Sequence, residues 1–178
     1  MGKRAPILPA RVGERGLPIP GAAGVSLRPV LLREADRTAV RKHFEELAGP
    51  VSATVYSRQD SPLVVPGRTP CQTCPTTEAL LREVEGLSDQ FTVEIRDVDK
   101  APDAARDAGI VRLPAIELTG AAKGRVRFLG LPDGHEFGSL ITAATLVSGA
   151  PLTLSEDAAE QLSTLRRPVH VKVFTTPT

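Results

Sequence analysis

The sequence predicts an α/β fold, helices and strands alternating along most of the chain, on three observations. Apolar residues switch between a spacing near 3.6 and a spacing of 2 from about residue 34 to residue 147, the pattern of helices alternating with half-buried strands. Proline and glycine stand at most of the switches, where they break one element before the next begins. The only two cysteines of the 178-residue chain, Cys71 and Cys74, open a helical stretch that directly follows a strand and its loop. That is the carboxyl edge of a sheet, where open α/β folds gather their sites.

The first thirty residues carry no such pattern. Lys3, Arg4, Arg11, Arg15 and Arg28 face a single acid, Glu14, so this stretch holds +4 while the whole chain holds +1, and Pro6, Pro9, Pro18, Pro20 and Pro29 interrupt it. It has neither the continuous apolar run of a secretory leader nor the amphipathic, serine-rich character of a transit peptide. Residues 1–30 are expected to form a flexible or loosely docked arm.

From there the elements follow in order. Val40, Phe44 and Leu47 mark one face of a helix over 34–48, ended by Gly49 and Pro50. Val51, Ala53 and Val55 alternate with Ser52, Thr54 and Tyr56 as a strand. Residues 58–70, with Pro62, Pro66, Gly67 and Pro70, read as a long loop. The next helix, with both cysteines in its first turn, runs to about Leu87 and turns Leu80, Leu81, Val84 and Leu87 inward. Pro75 is tolerated because the first helical turn has spare N–H groups. Phe91, Val93 and Ile95 alternate with Thr92, Glu94 and Arg96 in a second strand, and a short helix over 102–108 ends at Gly109. Pro114 heads an apolar strand reaching Leu118, a position where proline is allowed. Val126 and Phe128 belong to a further strand, and Phe137, Leu140, Ile141, Ala144 and Val147 line a last long helix.

Two thiols at i, i+3 come close enough to join without backbone movement. The free N–H groups and positive dipole end of the helix also favour a thiolate at the first of them. Cys71 is therefore the expected nucleophile and Cys74 the resolving thiol. Lowering a thiol pKa from about 8.5 to about 7 raises the thiolate fraction roughly sixteenfold, while a Brønsted slope near 0.5 removes about five- to sixfold, leaving a gain of about threefold. The placement sets redox potential more than speed. A structural disulfide is a weaker reading, because a three-residue loop removes little unfolded-state entropy and one bridge is no framework. Zinc needs two further ligands, and the chain has only His43, His135 and His170, far apart in sequence. An inert pair, or a metal or iron–sulfur site completed by a second copy, stay as alternatives. The pattern calls for no cofactor.

Composition removes other classes. A net charge of +1, no tryptophan and 3% aromatic residues leave neither an electrostatic footprint nor stacking platforms for nucleic acid. No apolar run approaches the roughly 18 residues that span a bilayer, so no membrane association is expected. Two cysteines at this spacing suit a reducing compartment. The expected location is cytoplasmic, and the expected partners are proteins or small thiols.

Cys71-Gln-Thr-Cys74-Pro75, Gly109-Ile-Val-Arg-Leu-Pro114-Ala and Phe128-Leu-Gly-Leu-Pro-Asp-Gly-His-Glu-Phe137 together resemble the thioredoxin superfamily. They are most similar to the first unit of glutaredoxin-like protein disulfide oxidoreductases built from two tandem thioredoxin-like units, a layout shared by the amino-terminal part of alkyl hydroperoxide reductase flavoproteins. The resemblance runs from about residue 31 to the end. It implies a central mixed sheet flanked by helices over 31–152. Residues 153–178 then form the opening helix and strand of a second unit, incomplete before its own CxxC, with the strand at 169–174 expected to join the first unit's sheet, since an unpaired strand is an association liability. The implied activity is thiol–disulfide exchange through Cys71 and Cys74; the alternatives are a non-catalytic docking module and a glutaredoxin-like metal or iron–sulfur carrier. Pro114 is implied to be a cis-proline facing the pair, its backbone and that of Leu113 binding a substrate segment. The implied partners are disulfide-containing protein substrates or peroxiredoxin-type proteins, with a thioredoxin reductase-like flavoprotein or glutathione as reductant. The chain departs from the superfamily in placing Pro70, not tryptophan, before the pair and in its longer 58–70 loop. His135 reads as a capping or solvated residue.

Overall fold

Alternating apolar residues on four strands translate into two unequal layers around one sheet. The computed structural model describes residues 31–59, 66, 69–152 and 154–172; the 1–30 arm, most of the 60–68 stretch, Thr153 and residues 173–178 lie outside them. The elements are α1 (Glu34–Phe44), β1 (Val51–Ser57), α2 (Cys74–Glu85), β2 (Phe91–Asp97), α3 (Pro102–Asp107), β3 (Ala115–Thr119), β4 (Val126–Leu129), α4 (His135–Val147) and α5 (Glu156–Ser163). The sheet order is β2-β1-β3-β4, with β1 parallel to β2, β3 antiparallel to β1 and β4 antiparallel to β3. It is the mixed sheet the motifs implied.

Register decides which face each side chain meets. Ala53 lies opposite Val93 and Leu118, and Val55 opposite Ile95 and Ile116, so one face is continuously apolar. Against it pack Val40 and Phe44 of α1, Leu80, Leu81 and Val84 of α2, and Leu140, Ile141 and Ala144 of α4. Phe44 stacks on Phe91 with ring centroids 5.2 Å apart, a contact worth about 0.5–1.5 kcal/mol beyond burial. Among the described residues the opposite face holds a small cluster, Tyr56, Ala105 and Ala115, beneath α3. Beyond α3 that face is polar, as the alternating Ser52, Thr92, Glu94 and Arg96 require.

Strand β2 forms an outer edge of the sheet, and α2 covers its exposed backbone. The Val93 N–H donates to Glu85 Oε1 at 2.7 Å, and Arg82 Nη1 donates to the Val93 carbonyl at 2.9 Å. At Val93 both outward groups that a foreign strand would pair with are occupied, which blunts the edge there. Glu83, on the same helix, accepts the N–H groups of Leu31 at 2.7 Å and Leu32 at 3.1 Å, and the Arg37 guanidinium at 2.9 Å. It pins the segment ahead of α1 to α2. At the far end, the Val147 carbonyl accepts the Ala122 N–H, and a Cβ on Gly120 would collide with that carbonyl. The turn after β3 accepts only glycine there.

The segment after α4 differs from expectation in part. The expected helix is present as α5, but residues 169–172 carry no strand pairing, and Val169 and Val171 are 62% and 74% exposed. The physical reason is that a strand exists only through a partner's ladder; the rest of the expected strand, 173–174, lies outside the described residues.

Glu83 gives the fold an acid limb. Burial raises its pKa, but the hydrogen bonds from Leu31 and Leu32 and the Arg37 guanidinium outweigh burial and hold it below the ordinary carboxylate value. A group lowered on folding stabilises above its unfolded pKa of about 4.3 and loses that contribution as pH falls through its folded value. Glu83→Ala is expected to cost about 1–3 kcal/mol near neutral pH and to flatten the fall in stability below about pH 4.3, read by urea unfolding across pH.

Candidate active site

The reactive pair straddles a helix start because of Pro75. A helix extended back through Cys71 would need an N–H at residue 75 to meet the Cys71 carbonyl; proline has none, and its ring clashes with the carbonyl of residue i−4. Helix α2 accordingly begins at Cys74, with Thr73 as N-cap, and Cys71 lies in the preceding turn, its carbonyl accepting the Cys74 N–H at 3.3 Å. This corrects the expectation that both cysteines share the first helical turn. The two are joined as a disulfide. Cys74 is 0% exposed and Cys71 6%, so the outer sulfur is less open than a helix start alone suggests. Cys71 reaches solvent through a cleft of about 620 Å³ whose walls include Pro70, Val98, Ile110 and Leu113.

The helix N-terminus remains available to a thiolate. Thr73 makes no side-chain cap, and no acid stands in the first turn. The positive end of the dipole is thus uncompensated by a protein carboxylate beside Cys71. One turn further on, Glu78 accepts the hydroxyl of Ser57. Ser57 is buried at the carboxyl end of β1 and its carbonyl takes the Val98 N–H at 2.9 Å. This pair fastens the start of α2 to the strand end beneath the cysteines.

The opposite wall of the cleft is built with equal definition. Helix α3 ends with Gly109 at φ 68°, its N–H on the Arg106 carbonyl at 2.8 Å and the Ile110 N–H on the Ala105 carbonyl at 2.9 Å, the two bonds of a Schellman cap. Arg127 of β4 reinforces it. Its Nη2 donates to the Ala108 carbonyl at 2.7 Å and to Glu117 at 2.6 Å, so a cation sits where the α3 carbonyls converge. The segment 109–113 is held from both ends, because the Pro114 carbonyl accepts the Gly130 N–H at 2.8 Å; the peptide bond from Leu113 to Pro114 is cis. Pro114 is fully buried, whereas Leu113 lines the cleft with Cys71. Pro114 has no N–H and its carbonyl is engaged, so the backbone groups left for a docking segment are those of Leu113, unpaired among the described residues.

Sequence reasoning placed Cys71, Cys74, Leu113 and Pro114 but passed over Ser57, Glu78, Arg127 and the cleft's arginines. Glu78 had a local signal, its i+4 spacing from Cys74. Arg127 had none, because in a strand it reads as an outward residue between Val126 and Phe128. His43, His135 and His170 are exposed and line no part of the cleft. Among the described residues no cluster of histidine, cysteine or carboxylate is arranged to hold a metal ion, and no helix is long and apolar enough to cross a membrane.

No protein-family model matches the chain. The alkyl hydroperoxide reductase protein AhpF of Pseudomonas aeruginosa is 36% identical over 85 residues, 47% of this chain and 14% of that protein. Its Enterococcus faecalis counterpart, as a C503A mutant, superposes with a TM-score of 0.62 at 22% identity, over 75% of this chain and 61% of that one. A protein disulfide oxidoreductase from Aeropyrum pernix gives 0.59 at 22% identity, over 75% and 55%. The chain spans less than two-thirds of each. The shared architecture is thioredoxin-like, as the motifs implied.

Two outcomes are expected from this geometry. After reduction, iodoacetamide labels Cys71 well before Cys74, with a titration midpoint below about 8.5; mass spectrometry of partly labelled protein checks the order, and equal rates would show that Cys74 is not shielded in the reduced protein. Arg127→Met removes the clamp on the α3 carbonyls and is expected to cost about 1–3 kcal/mol. Amide exchange at Gly109 and Ile110 should quicken more than exchange at Ala53 or Leu118.

Proposed function

We propose that this chain, with its thioredoxin-like fold, is a thiol–disulfide oxidoreductase in which Cys71 exchanges with a partner and Cys74 resolves. The observation that carries the reading is the asymmetry of the pair: two bonded sulfurs, one opening on a cleft and the other fully buried. In the reducing direction the Cys71 thiolate attacks one sulfur of a partner disulfide, forming a Cys71–partner bond and releasing the partner's other sulfur as a thiolate. Cys74 then loses its proton to water and attacks the Cys71 sulfur, which breaks the mixed disulfide and frees the second partner sulfur. Two electrons pass to the partner, and the Cys71–Cys74 disulfide is left. A dithiol or a flavoprotein of the thioredoxin reductase kind, or glutathione, recharges it; run backwards, the same steps oxidise a partner dithiol.

Leu113 gives the partner its backbone contact, in the manner of strand addition, and Pro114 fixes where that contact lies. Peroxiredoxin-type proteins are the partners the named relative suggests, since that relative belongs to an alkyl hydroperoxide reductase. The cytoplasm is the compartment that suits such a pair. We read residues 31–152 as one unit and 153–178 as the opening of a second one; α5 buries none of its residues, and Leu152, Leu162 and Leu165 stand exposed, apolar area that a further element would cover. That area is also what favours a second reading, a docking module whose disulfide is inert.

Cys74→Ser separates the two. Because exchange passes through a mixed disulfide, this variant is expected to accumulate partners on Cys71 that dithiothreitol releases after acid quench in a cytosolic host. Cys71→Ser carries almost none. If neither variant traps adducts and the unaltered chain leaves a model disulfide intact, the docking reading replaces this one.

A further inference from the structure

The cleft beside Cys71 has a charge pattern that disulfide exchange does not require. Arg58, Arg106 and Arg112 line it, and among the described residues no carboxylate does. Two of these cations are already engaged: Arg58 with Asp99 at 3.0 Å and the Thr69 carbonyl at 2.9 Å, and Arg106 with Asp103 at 2.9 Å and Asp107 at 3.5 Å. Arg112 has no hydrogen bond or ion pair among the described residues. It is exposed and sits between Val111, 89% exposed, and Leu113, whose backbone is unpaired. An unpaired guanidinium, a bare valine and a free backbone edge therefore occupy three consecutive positions on the wall facing the reactive sulfur.

We propose, on the thiol–disulfide reading above, that this wall selects a protein segment whose reactive cysteine is flanked by an acidic residue and an apolar one. The carboxylate pairs with the Arg112 guanidinium, the geometry arginine suits best. The apolar side chain covers Val111. The rest of the lining favours a protein over a small anionic thiol, because Val98, Ile110 and Leu113 offer apolar area that glutathione has no apolar side chain to fill. Redox chemistry is unchanged by this contact: Arg112 orients and steers the partner and takes no part in bond breaking.

The size of the effect follows from exposure. An ion pair at a wet surface contributes about 0.2–1 kcal/mol, a factor of roughly 1.4 to 5, and steering adds to the association rate at low salt. The full chain, reduced, is mixed in stopped flow with three peptides of one length, each carrying a cysteine as a mixed disulfide with 2-mercaptoethanol and flanked by Val with Asp, Asn or Lys. Glutathione disulfide and bis(2-hydroxyethyl) disulfide serve as comparisons. The Asp peptide is expected to react about three- to tenfold faster than the Lys peptide at low ionic strength, the gap closing above about 0.5 M salt. Arg112→Glu reverses that order and Arg112→Gln removes it, while both variants reduce bis(2-hydroxyethyl) disulfide at the unaltered rate. Equal rates for the three peptides overturn the proposal. So does an equal loss of both variants on the neutral disulfide, or glutathione disulfide outpacing the Asp peptide and losing most on Arg112→Glu. Failure of the unaltered chain to reduce the neutral disulfide sinks the redox reading itself, and the proposal with it; reduction without charge preference sinks the proposal alone.

Discussion

Helix α2 is fixed at three places by its own carboxylates, and the geometry of the reactive pair depends on where that leaves it. Glu78 holds the start of the helix to Ser57 at the end of β1, Glu83 holds its middle to the backbone of Leu31 and Leu32, and Glu85 holds its end to Val93 of β2. Hydrogen bonds to a charged group contribute about 1.5–3 kcal/mol each, comparable to the burial of one large apolar side chain. Apolar packing of Leu80, Leu81 and Val84 brings the helix onto the sheet; the carboxylates remove its freedom to slide or roll there. The proposed exchange depends on that rigidity, because a sulfur displaced by an ångström no longer lines up with its target.

Within this frame Pro75 divides the labour between two otherwise equal thiols. By denying the helix a start at Cys71, it leaves that sulfur in a turn beside the cleft and sets Cys74 at the first helical position, under the cover of the core. Cys71 borders the cleft and Cys74 does not. On the proposed reading, attack by the outer sulfur and resolution by the inner would follow from proline chemistry acting on helix geometry. The same helix start, with no capping side chain and no acid in its first turn, leaves the positive end of its dipole uncompensated beside Cys71.

The facing wall is secured by other means. Its segment from Gly109 to Leu113 has no regular secondary structure, yet it begins at a Schellman cap and ends at a buried proline whose carbonyl is taken by Gly130. Arg127 ties the cap to β4. A loop so anchored presents Val111, Arg112 and Leu113 at fixed positions, and their exposure is then available for recognition. Loops carry function when a rigid scaffold holds their ends, and here both ends are held by hydrogen bonds to the sheet.

The sequence by itself determined the elements, their order and the proximity of Cys71 and Cys74, because helices, strands and a CxxC spacing are written in residues a few positions apart. Val51, Ala53 and Val55 announce a strand, and Gly109 the end of α3, without any distant partner. It also led to Leu113 and Pro114, through a motif. What only the tertiary structure decided are the contacts between segments far apart in the chain: Ser57 with Glu78, Glu83 with the residues ahead of α1, and Arg127 with the carbonyls of α3. The same holds for residues 169–172, whose strand-like alternation finds no ladder to join. Periodicity states which side of an element is apolar, and it is silent on which polar groups meet across a fold, since that depends on register, on the reach of long side chains and on which backbone groups the sheet leaves unpaired.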